Sequence, residues 1–386
     1  MRHIRFKSVF ILLSTLLLAL SCKNDDDQII TPPIIETNVA SYVFATDGVS
    51  SVDVSDQNVL ADMLKILSEY SEQGHTGEIV EAFDFRAIFE NKGDNGSGLF
   101  DFESTVRLED LLFIPDLNDD YFGDLFEQAA ITSKAGDRAA ERVPGLIVRT
   151  STGSDILVNN LGQAFTAFIE KGIMGSVFLH QILNVYLTDE FVGDTVDNLD
   201  LVVEKNYTAL EHNWDIAFGF FQAPGDFGSN FPASRVDELR YWSAYCNLVD
   251  PVLGNSDKIM DAFRDGRNAI VNNDLETKNN SRAILYDELE ILAAATTIHY
   301  INQSITFLAE DQQGDLLYSL SNAYMFARAL NMNPKVRIPN AQLHNILNVD
   351  FGIGGDFWTV NAEGLENAKE KLVEVYPSLE EVKDQL

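Results

Sequence analysis

The sequence predicts an all-α fold, a multi-helix bundle with a short extended segment near the N-terminus. Apolar residues recur at spacings of three and four through most of the chain after Asp56, which is the period of a helix. Stretches rich in Gly, Asn and Pro separate these periodic segments. Apolar residues make up 46% of the chain, which is enough for a packed core. Residues 41–386 are therefore expected to form one helical-bundle domain.

The predicted elements follow one another along the chain. Residues 42–54 come first and alternate loosely with β-branched side chains, so a short strand pair is expected there. Apolar residues at helical spacing then mark helices at 59–70, 161–182, 205–221, 259–271, 285–305, 316–330 and 365–375. No repeat of fixed period accompanies them.

The N-terminal residues predict an export signal followed by a lipid anchor. Residues 1–7 carry three basic side chains, and residues 9–20 form an apolar run that is too short to span a bilayer. Ser21 and then Cys22 follow, and Cys22 resembles the acylated cysteine of a bacterial lipobox. We therefore expect residues 1–21 to be a lipoprotein signal peptide and residues 22–40 to be a flexible, acidic tether.

These features place the mature protein at the outer membrane, on the cell-surface or the periplasmic face, attached to the membrane through Cys22. Residues 23–27 resemble the export tag of surface lipoproteins, although a solvated tether would have the same composition. The other cysteine, Cys246, lies among aromatic residues, a setting typical of an inert buried thiol. No intrachain disulfide is then expected.

Charge excludes one class of partner. The chain has 60 acidic and 27 basic residues, a formal charge of −33. A protein with this negative charge repels the phosphate backbone of nucleic acids, so no nucleic-acid binding is expected. Cations, basic surfaces or neutral groups are the expected partners. The sequence contains no CxxC, HExxH or Gly-x-Ser-x-Gly motif and no dinucleotide-binding fingerprint.

The helix at 205–221 carries a narrow polar stripe between two apolar faces. Trp214 and Phe218 belong to one face, and Ile216 and Phe220 belong to the other. The stripe includes Glu211, His212 and Asp215. Because a helix that is apolar on two sides is buried, and buried carboxylates need partners, these side chains should face a cation or basic side chains.

One hypothesis for this stripe is a metal site. His212 and Asp215 have the i, i+3 spacing that helical di-metal sites use, and Glu211 adjoins them. His299 is the preferred candidate for a further ligand, ahead of His180. The metal would be a divalent ion, with iron, zinc and calcium left open. The alternative is a salt bridge from the two carboxylates to Arg264, Arg267 or Arg282.

Several blocks of the sequence, in this order, resemble domain-of-unknown-function family 4856: Lys171 to Gly175, Glu211-His212-x-Trp214-Asp215, Gly266-Arg267-x-Ala269-Ile270, and Glu290 to Tyr300. That family consists of exported lipoproteins of Gram-negative bacteria. It is similar to imelysin-like proteins, helical bundles linked to iron regulation and first described as peptidases. The resemblance implies a helical fold that could contain two packed bundles. It also implies a role beside outer-membrane systems for iron or haem uptake.

The chain departs from the family pattern at several positions. Asp215 stands where a Glu is expected after His212, and Ile216 occupies a position where a Glu is usual. Tyr318 and Asn322 stand where His and Glu are expected. If those family residues are ligands, two of them are lost here. These departures favour a retained fold with an altered site.

Three functions remain open from the sequence. The leading interpretation is a binding or accessory module of the cell envelope that holds a cation or contacts a partner protein in metal acquisition. A metal-dependent hydrolase is the second, with Asp215 or Glu211 as general base. A purely structural interaction protein is the third. We assign no catalytic residue, and a role without enzymatic activity is favoured.

Overall fold

Helices make up most of the chain in the computed structural model, which describes residues 35–38, 40–114, 118 and 120–386. The predicted all-α class is confirmed. The described residues contain twelve α-helices: α1 Ser55–Gln73, α2 Ala82–Phe89, α3 Tyr121–Ala135, α4 Phe165–Ile173, α5 Asp189–Val192, α6 Ala209–Phe221, α7 Trp242–Leu253, α8 Ser256–Val271, α9 Leu275–Ala309, α10 Gln313–Ala329, α11 Asn340–Asn345 and α12 Ala362–Val375.

The longest helix, α9, is the central helix of the bundle. It has 35 residues and packs against α7, α8, α10 and α12. Its middle, from Leu289 to Ile298, is buried almost continuously because neighbouring helices cover it on several sides. A second group of contacts joins α1 to α2, α4 and α6, and α6 to α8.

All of the helices predicted from apolar spacing are present, and five others are not predicted. Three of these five, α2, α5 and α11, have eight residues or fewer, too few to establish a helical period. Another, α7, contains Pro251 in its interior, a residue that usually ends a helix. The long helix predicted at 161–182 begins as α4 and continues to Tyr186 with π-helical segments, Met174–Leu179 and Gln181–Tyr186.

Two small antiparallel sheets accompany the helices. Val43–Thr46 (β2) and Val49–Ser50 (β3) form the strand pair expected at 42–54, and Ile35–Asn38 (β1) pairs with β2 on its other side. Gly145–Val148 (β4) and Asp155–Val158 (β5) form a hairpin that the sequence analysis does not predict, with Gly145 opposite Val158.

The predicted signal peptide and Cys22 lie outside the described residues, and so does most of the predicted tether. None of the described helices combines the length and the apolar character needed to cross a lipid bilayer. Cys246 is a free thiol with no exposed surface, and burial raises its pKa, as expected for an inert buried cysteine.

Candidate functional site

A capping box fixes the first turn of α6, the helix that carries the predicted polar stripe. Thr208 Oγ1 accepts a hydrogen bond from the backbone N–H of Glu211 at 3.2 Å. In return, the backbone N–H of Thr208 donates to Glu211 Oε2 at 2.8 Å. These reciprocal bonds provide partners for two backbone N–H groups at the start of the helix. They also fix the position of the Glu211 carboxylate.

Glu211 and Asp215 both bind Arg267, which lies on α8. Arg267 Nη1 is 2.7 Å from Glu211 Oε1, and Arg267 Nε is 2.9 Å from Asp215 Oδ1. The side chains of Arg267 and Asp215 have no exposed surface. This is the salt-bridge alternative that the sequence leaves open. The other two arginine candidates pair elsewhere, Arg264 with Asp261 and Arg282 with Asp189.

Residues around the N-terminal strands complete this buried network. The hydroxyl of Tyr42 donates to Asp215 Oδ1 at 2.6 Å, and Arg267 Nη2 donates to Ser51 Oγ at 3.2 Å. The guanidinium carbon of Arg267 also lies 4.8 Å from the centre of the Phe44 ring, a cation–π distance. The network therefore joins the β2–β3 strands to α6 and α8.

Burial perturbs the carboxyl group at the centre of this network. Desolvation raises the pKa of Asp215 to about 6, although Arg267 and the Tyr42 hydroxyl both favour the ionised form. Its Oδ2 atom is buried and has no hydrogen-bond partner among the described residues. The Arg267 ion pair therefore only partly compensates for the desolvation of Asp215.

This raised pKa predicts a pH dependence of stability. The folded chain holds the Asp215 proton to higher pH than the unfolded chain does, so ionisation disfavours folding between these two pKa values. Relative to Asp215→Asn, the free energy of unfolding of the wild type should fall by up to about 3 kcal/mol between about pH 4 and pH 6. Urea denaturation of both proteins across this pH range measures the difference. Parallel profiles, or a wild type that gains stability relative to the variant, would contradict it.

The predicted histidine ligands lie apart from this carboxylate pair. The His212 ring stacks on Tyr207, with the ring centres 4.4 Å apart, and burial lowers the pKa of His212. His299 lies on α9, where its Nε2 is 2.8 Å from Nε2 of Gln303, and burial lowers its pKa as well. His180 lies between the two π-helical segments, and its ring stacks on that of Phe113.

The structure does not form the metal site predicted from Glu211, His212, Asp215 and His299. Within the part of the chain that the structure describes, no three His, Cys, Asp or Glu side chains are grouped so that they could hold a metal ion. The physical reason is that Arg267 supplies the positive charge that Glu211 and Asp215 need. A guanidinium in that position also repels a second cation.

A buried lysine that the sequence pattern does not predict lies on α4. The Lys171 side chain is only 6% exposed, and its Nζ lies 2.7 Å from Glu170 Oε2 and 5.4 Å from the centre of the Tyr245 ring. Burial is the largest single effect and lowers the pKa of Lys171, but the charge and hydrogen bond of Glu170 act together with Tyr318 and Tyr300, and the net result is a raised pKa. Lys171 is therefore a fixed positive charge beneath a surface pocket that Glu170 and Tyr245 line.

This pocket lies between α1, α4 and the start of α7 and has a volume of about 390 Å³. Its lining residues are Lys65, Ser68, Glu69, Glu72, Glu170, Arg240, Tyr241, Ala244 and Tyr245. The cations in or beside it already have acidic partners: Lys65 with Glu69 at 3.6 Å, Arg240 with Asp62 at 2.8 Å, and Lys171 with Glu170. They are therefore not free to neutralise the remaining carboxylate.

That remaining carboxylate belongs to Glu72. It forms no ion pair with any lysine or arginine that the structure describes. Burial raises the pKa of Glu72, and the negative charge of Glu170 raises it further, against the smaller effect of Lys171. A cation bound beside Glu72 and Glu170 would relieve this repulsion. Tyr241 and Tyr245 line the same pocket, and each ring already attracts a cation, Arg240 at 5.6 Å and Lys171 at 5.4 Å from the ring centres.

The backbone of Tyr241 provides independent evidence about this pocket. Tyr241 has φ 51° and ψ −118°, a rare conformation for a residue with a side chain. The surroundings hold it there, since the Tyr241 ring is buried and its hydroxyl donates to the carbonyl of Ala61 at 2.8 Å. Such conformations cost about 1–3 kcal/mol and cluster at functional sites. The strain therefore favours a functional role for the pocket.

One signal in the sequence could have indicated this site. Lys171 lies in the mostly apolar helix α4 and directly follows Glu170, so a buried lysine with this acidic neighbour as its partner could be expected there. The spacing of apolar residues cannot identify α1 and α7 as the helices that supply the rest of the pocket. Both are distant from α4 in the sequence, and α7 is not predicted.

Comparison with known proteins identifies a family without a described function. The family model described as "Domain of unknown function (DUF4856)" matches residues 39–376, which include all three helices around the pocket and the Arg267 network. No curated protein and no solved structure matches the chain.

Proposed function

The chain belongs to the DUF4856 family, and we propose that it is a binding module of the cell envelope that takes a cationic ligand into the pocket between α1, α4 and α7. The observation that carries this proposal is the pair Glu72 and Glu170. Two carboxylates repel each other in one pocket, and only Glu170 has a cation of its own. A positively charged ligand would supply the missing charge.

The lining restricts the chemistry of that ligand. Carboxylates beside the rings of Tyr241 and Tyr245 suit an organic ammonium group, which can ion-pair with the acids and lie against the π faces. An alkyl amine and the lysine side chain of a partner protein both have this chemistry. The high negative charge of the chain would attract such ligands from a distance.

We also propose that the protein is anchored at the outer membrane and acts beside iron or haem uptake proteins. Export through residues 1–21 and acylation of Cys22 would hold the module at the outer membrane, on the cell-surface or the periplasmic face. The accessory role beside iron or haem uptake proteins rests on the resemblance to imelysin-like proteins. Mass spectrometry of protein expressed with its leader tests the anchor, because acylation predicts a mature chain that begins at a lipid-modified Cys22. Cys22→Ser should remain unprocessed.

Ligand binding is tested by calorimetric titration with 1-aminopentane, using pentan-1-ol as the uncharged control ligand. We expect the amine to bind and the alcohol not to bind. Glu72→Gln should weaken amine binding about 10-fold, because the lost charged partner contributes about 1.4 kcal/mol to the binding free energy. Amine binding should also weaken as the pH falls toward the raised pKa of Glu72, because protonation removes the charge.

The matched control variant is Glu374→Gln, which removes the same charge from an exposed position on α12, a helix that does not line the pocket. Its affinity for the amine should equal that of the wild type. Equal weakening by both substitutions would mean that net charge attracts the amine and would refute the pocket. Equal binding of the amine and the alcohol would also refute it.

A further inference from the structure

Four large aliphatic side chains are exposed in two neighbouring segments, the loop before α6 and the β2–β3 hairpin. In the loop before α6, Leu199 is 87% exposed, Val203 is 86% exposed and Leu201 is 53% exposed. Val49, in the turn region of the β2–β3 hairpin, is 62% exposed. We call these four residues the aliphatic edge. Large aliphatic side chains grouped this way on a surface indicate a contact with another apolar body.

Hydrogen bonds tie the loop and the hairpin into one surface. The side-chain amide of Asn206 donates to the carbonyl of Val49 at 3.0 Å and to that of Ser50 at 2.8 Å. Thr46 donates through its hydroxyl to the carbonyl of Asn206 at 3.2 Å. Within the loop, the backbone N–H of Val202 donates to the carbonyl of Tyr207 at 2.9 Å. The aliphatic edge is therefore held against the body of the domain.

The chain enters the domain next to this edge. In the register of β1 with β2, Ile35 lies opposite Thr46, the residue that contacts Asn206. Only 12 residues lie between Cys22 and Ile35 in the sequence, and a fully extended chain over that interval spans about 45 Å at most. A lipid on Cys22 would thus hold β1, the strand beside the aliphatic edge, within about 45 Å of the bilayer, near enough for the edge to reach the lipid surface.

We propose that Val49, Leu199, Leu201 and Val203 insert into the lipid surface to which Cys22 is anchored. The inference rests on the lipid anchor of the proposed function. A few aliphatic side chains bind a bilayer weakly, but the anchor makes this second contact intramolecular, where a weak interaction suffices. The consequence is a fixed orientation of the domain on the membrane.

The charges around the edge indicate which lipids it prefers. Asp200 and Glu204 lie between and beside the aliphatic residues, so they would reach the headgroup layer when Leu199 and Val203 insert. Anionic lipids repel carboxylates, whereas a zwitterionic headgroup has no net charge and does not. The aliphatic edge should therefore insert more readily into phosphatidylcholine than into membranes rich in phosphatidylglycerol.

The test attaches the mature chain to vesicles independently of native acylation. Residues 22–386 with Cys22→Ser and an N-terminal histidine tag are bound to phosphatidylcholine vesicles that contain nickel-chelating and brominated lipids. Leu199→Cys carries an environment-sensitive fluorophore, and Ile353→Cys, at a residue that is 77% exposed elsewhere on the domain, is the matched control. Cys246 is buried and should not react with the fluorophore.

We expect the lipid bromines to quench the label at residue 199 about threefold more than the label at residue 353. Val203→Asp in the Leu199→Cys chain should remove most of this difference without unfolding the protein, because residue 203 is exposed. Equal quenching at the two positions would overturn the proposal, as would an unquenched label at residue 199, the result expected if the edge docks onto a protein instead. The histidine tag replaces the lipid in this experiment. A finding that Cys22 is not acylated would therefore refute the lipid anchor but would leave the quenching result to decide whether the aliphatic edge inserts.

Discussion

Arg267→Met should lower the free energy of unfolding by about 3–5 kcal/mol, because it leaves Glu211 and Asp215 buried without their cation. The side chains of Arg267 and Asp215 have no exposed surface, and that of Glu211 is only 12% exposed, so water cannot take the place of the guanidinium. Methionine fills part of the volume, which separates the loss of charge from the loss of packing. Urea denaturation followed by circular dichroism measures the change.

Two further variants make this prediction specific. Arg138→Ala breaks the pair with Asp155, in which the arginine side chain is 57% exposed, and should change stability only slightly. Adding Asp215→Leu to Arg267→Met should recover part of the loss, because the most deeply buried unpaired charge is then gone. A loss for Arg267→Met no larger than that for Arg138→Ala would show that the buried ion pair does not stabilise the fold.

The wheel projection of α6 predicted the requirement for a partner but not the partner itself. Two apolar faces around a polar stripe indicate burial, and α6 is indeed buried with a cation against the stripe. Projection of one helix cannot show which neighbour approaches it, so Arg267 could not be separated from Arg264 or from a metal ion. That choice depends on how α6 packs against α8, which is tertiary information.

Apart from the short helices and the β4–β5 hairpin, the features that were missed depend on long-range contacts. In the long helices, apolar residues recur every three or four positions even where the helix is buried. This spacing predicted those helices correctly. The π-helical turns after α4 leave almost no trace in that period, since they add one residue to a turn. The pocket at Glu72 joins residues more than 150 positions apart along the chain, and no local pattern encodes that contact.

The two family blocks around α6 and α8 meet at a single helix contact. Trp214 and Asp215 come from one block, and Gly266 and Arg267 come from the other. Asp215 pairs with Arg267, and the Trp214 ring lies over Gly266, where a Cβ atom would come within 2.0 Å of Trp214 Cζ2. These residues are therefore accounted for by packing of α6 on α8, without an ion.

Gly266→Ala should consequently destabilise the protein by about 3 kcal/mol, as overpacking of a closed core does. In an open helix the same change would stabilise by up to about 1 kcal/mol, since alanine is the better helix former. Here Trp214 cannot move aside easily, because it is fully buried and its Nε1 donates to the carbonyl of Phe263 at 2.9 Å. Urea denaturation with a shared m-value gives the difference in stability.

The matched test is a double-mutant cycle with Trp214→Phe. A phenyl ring ends short of the positions of Cζ2 and Cη2, the two atoms nearest to the added methyl group. In the Trp214→Phe background, Gly266→Ala should therefore cost much less than in the wild type. If the cost is the same in both backgrounds, the indole ring is not the obstacle. Close approach of α6 to α8 would then not be the reason for a glycine at position 266.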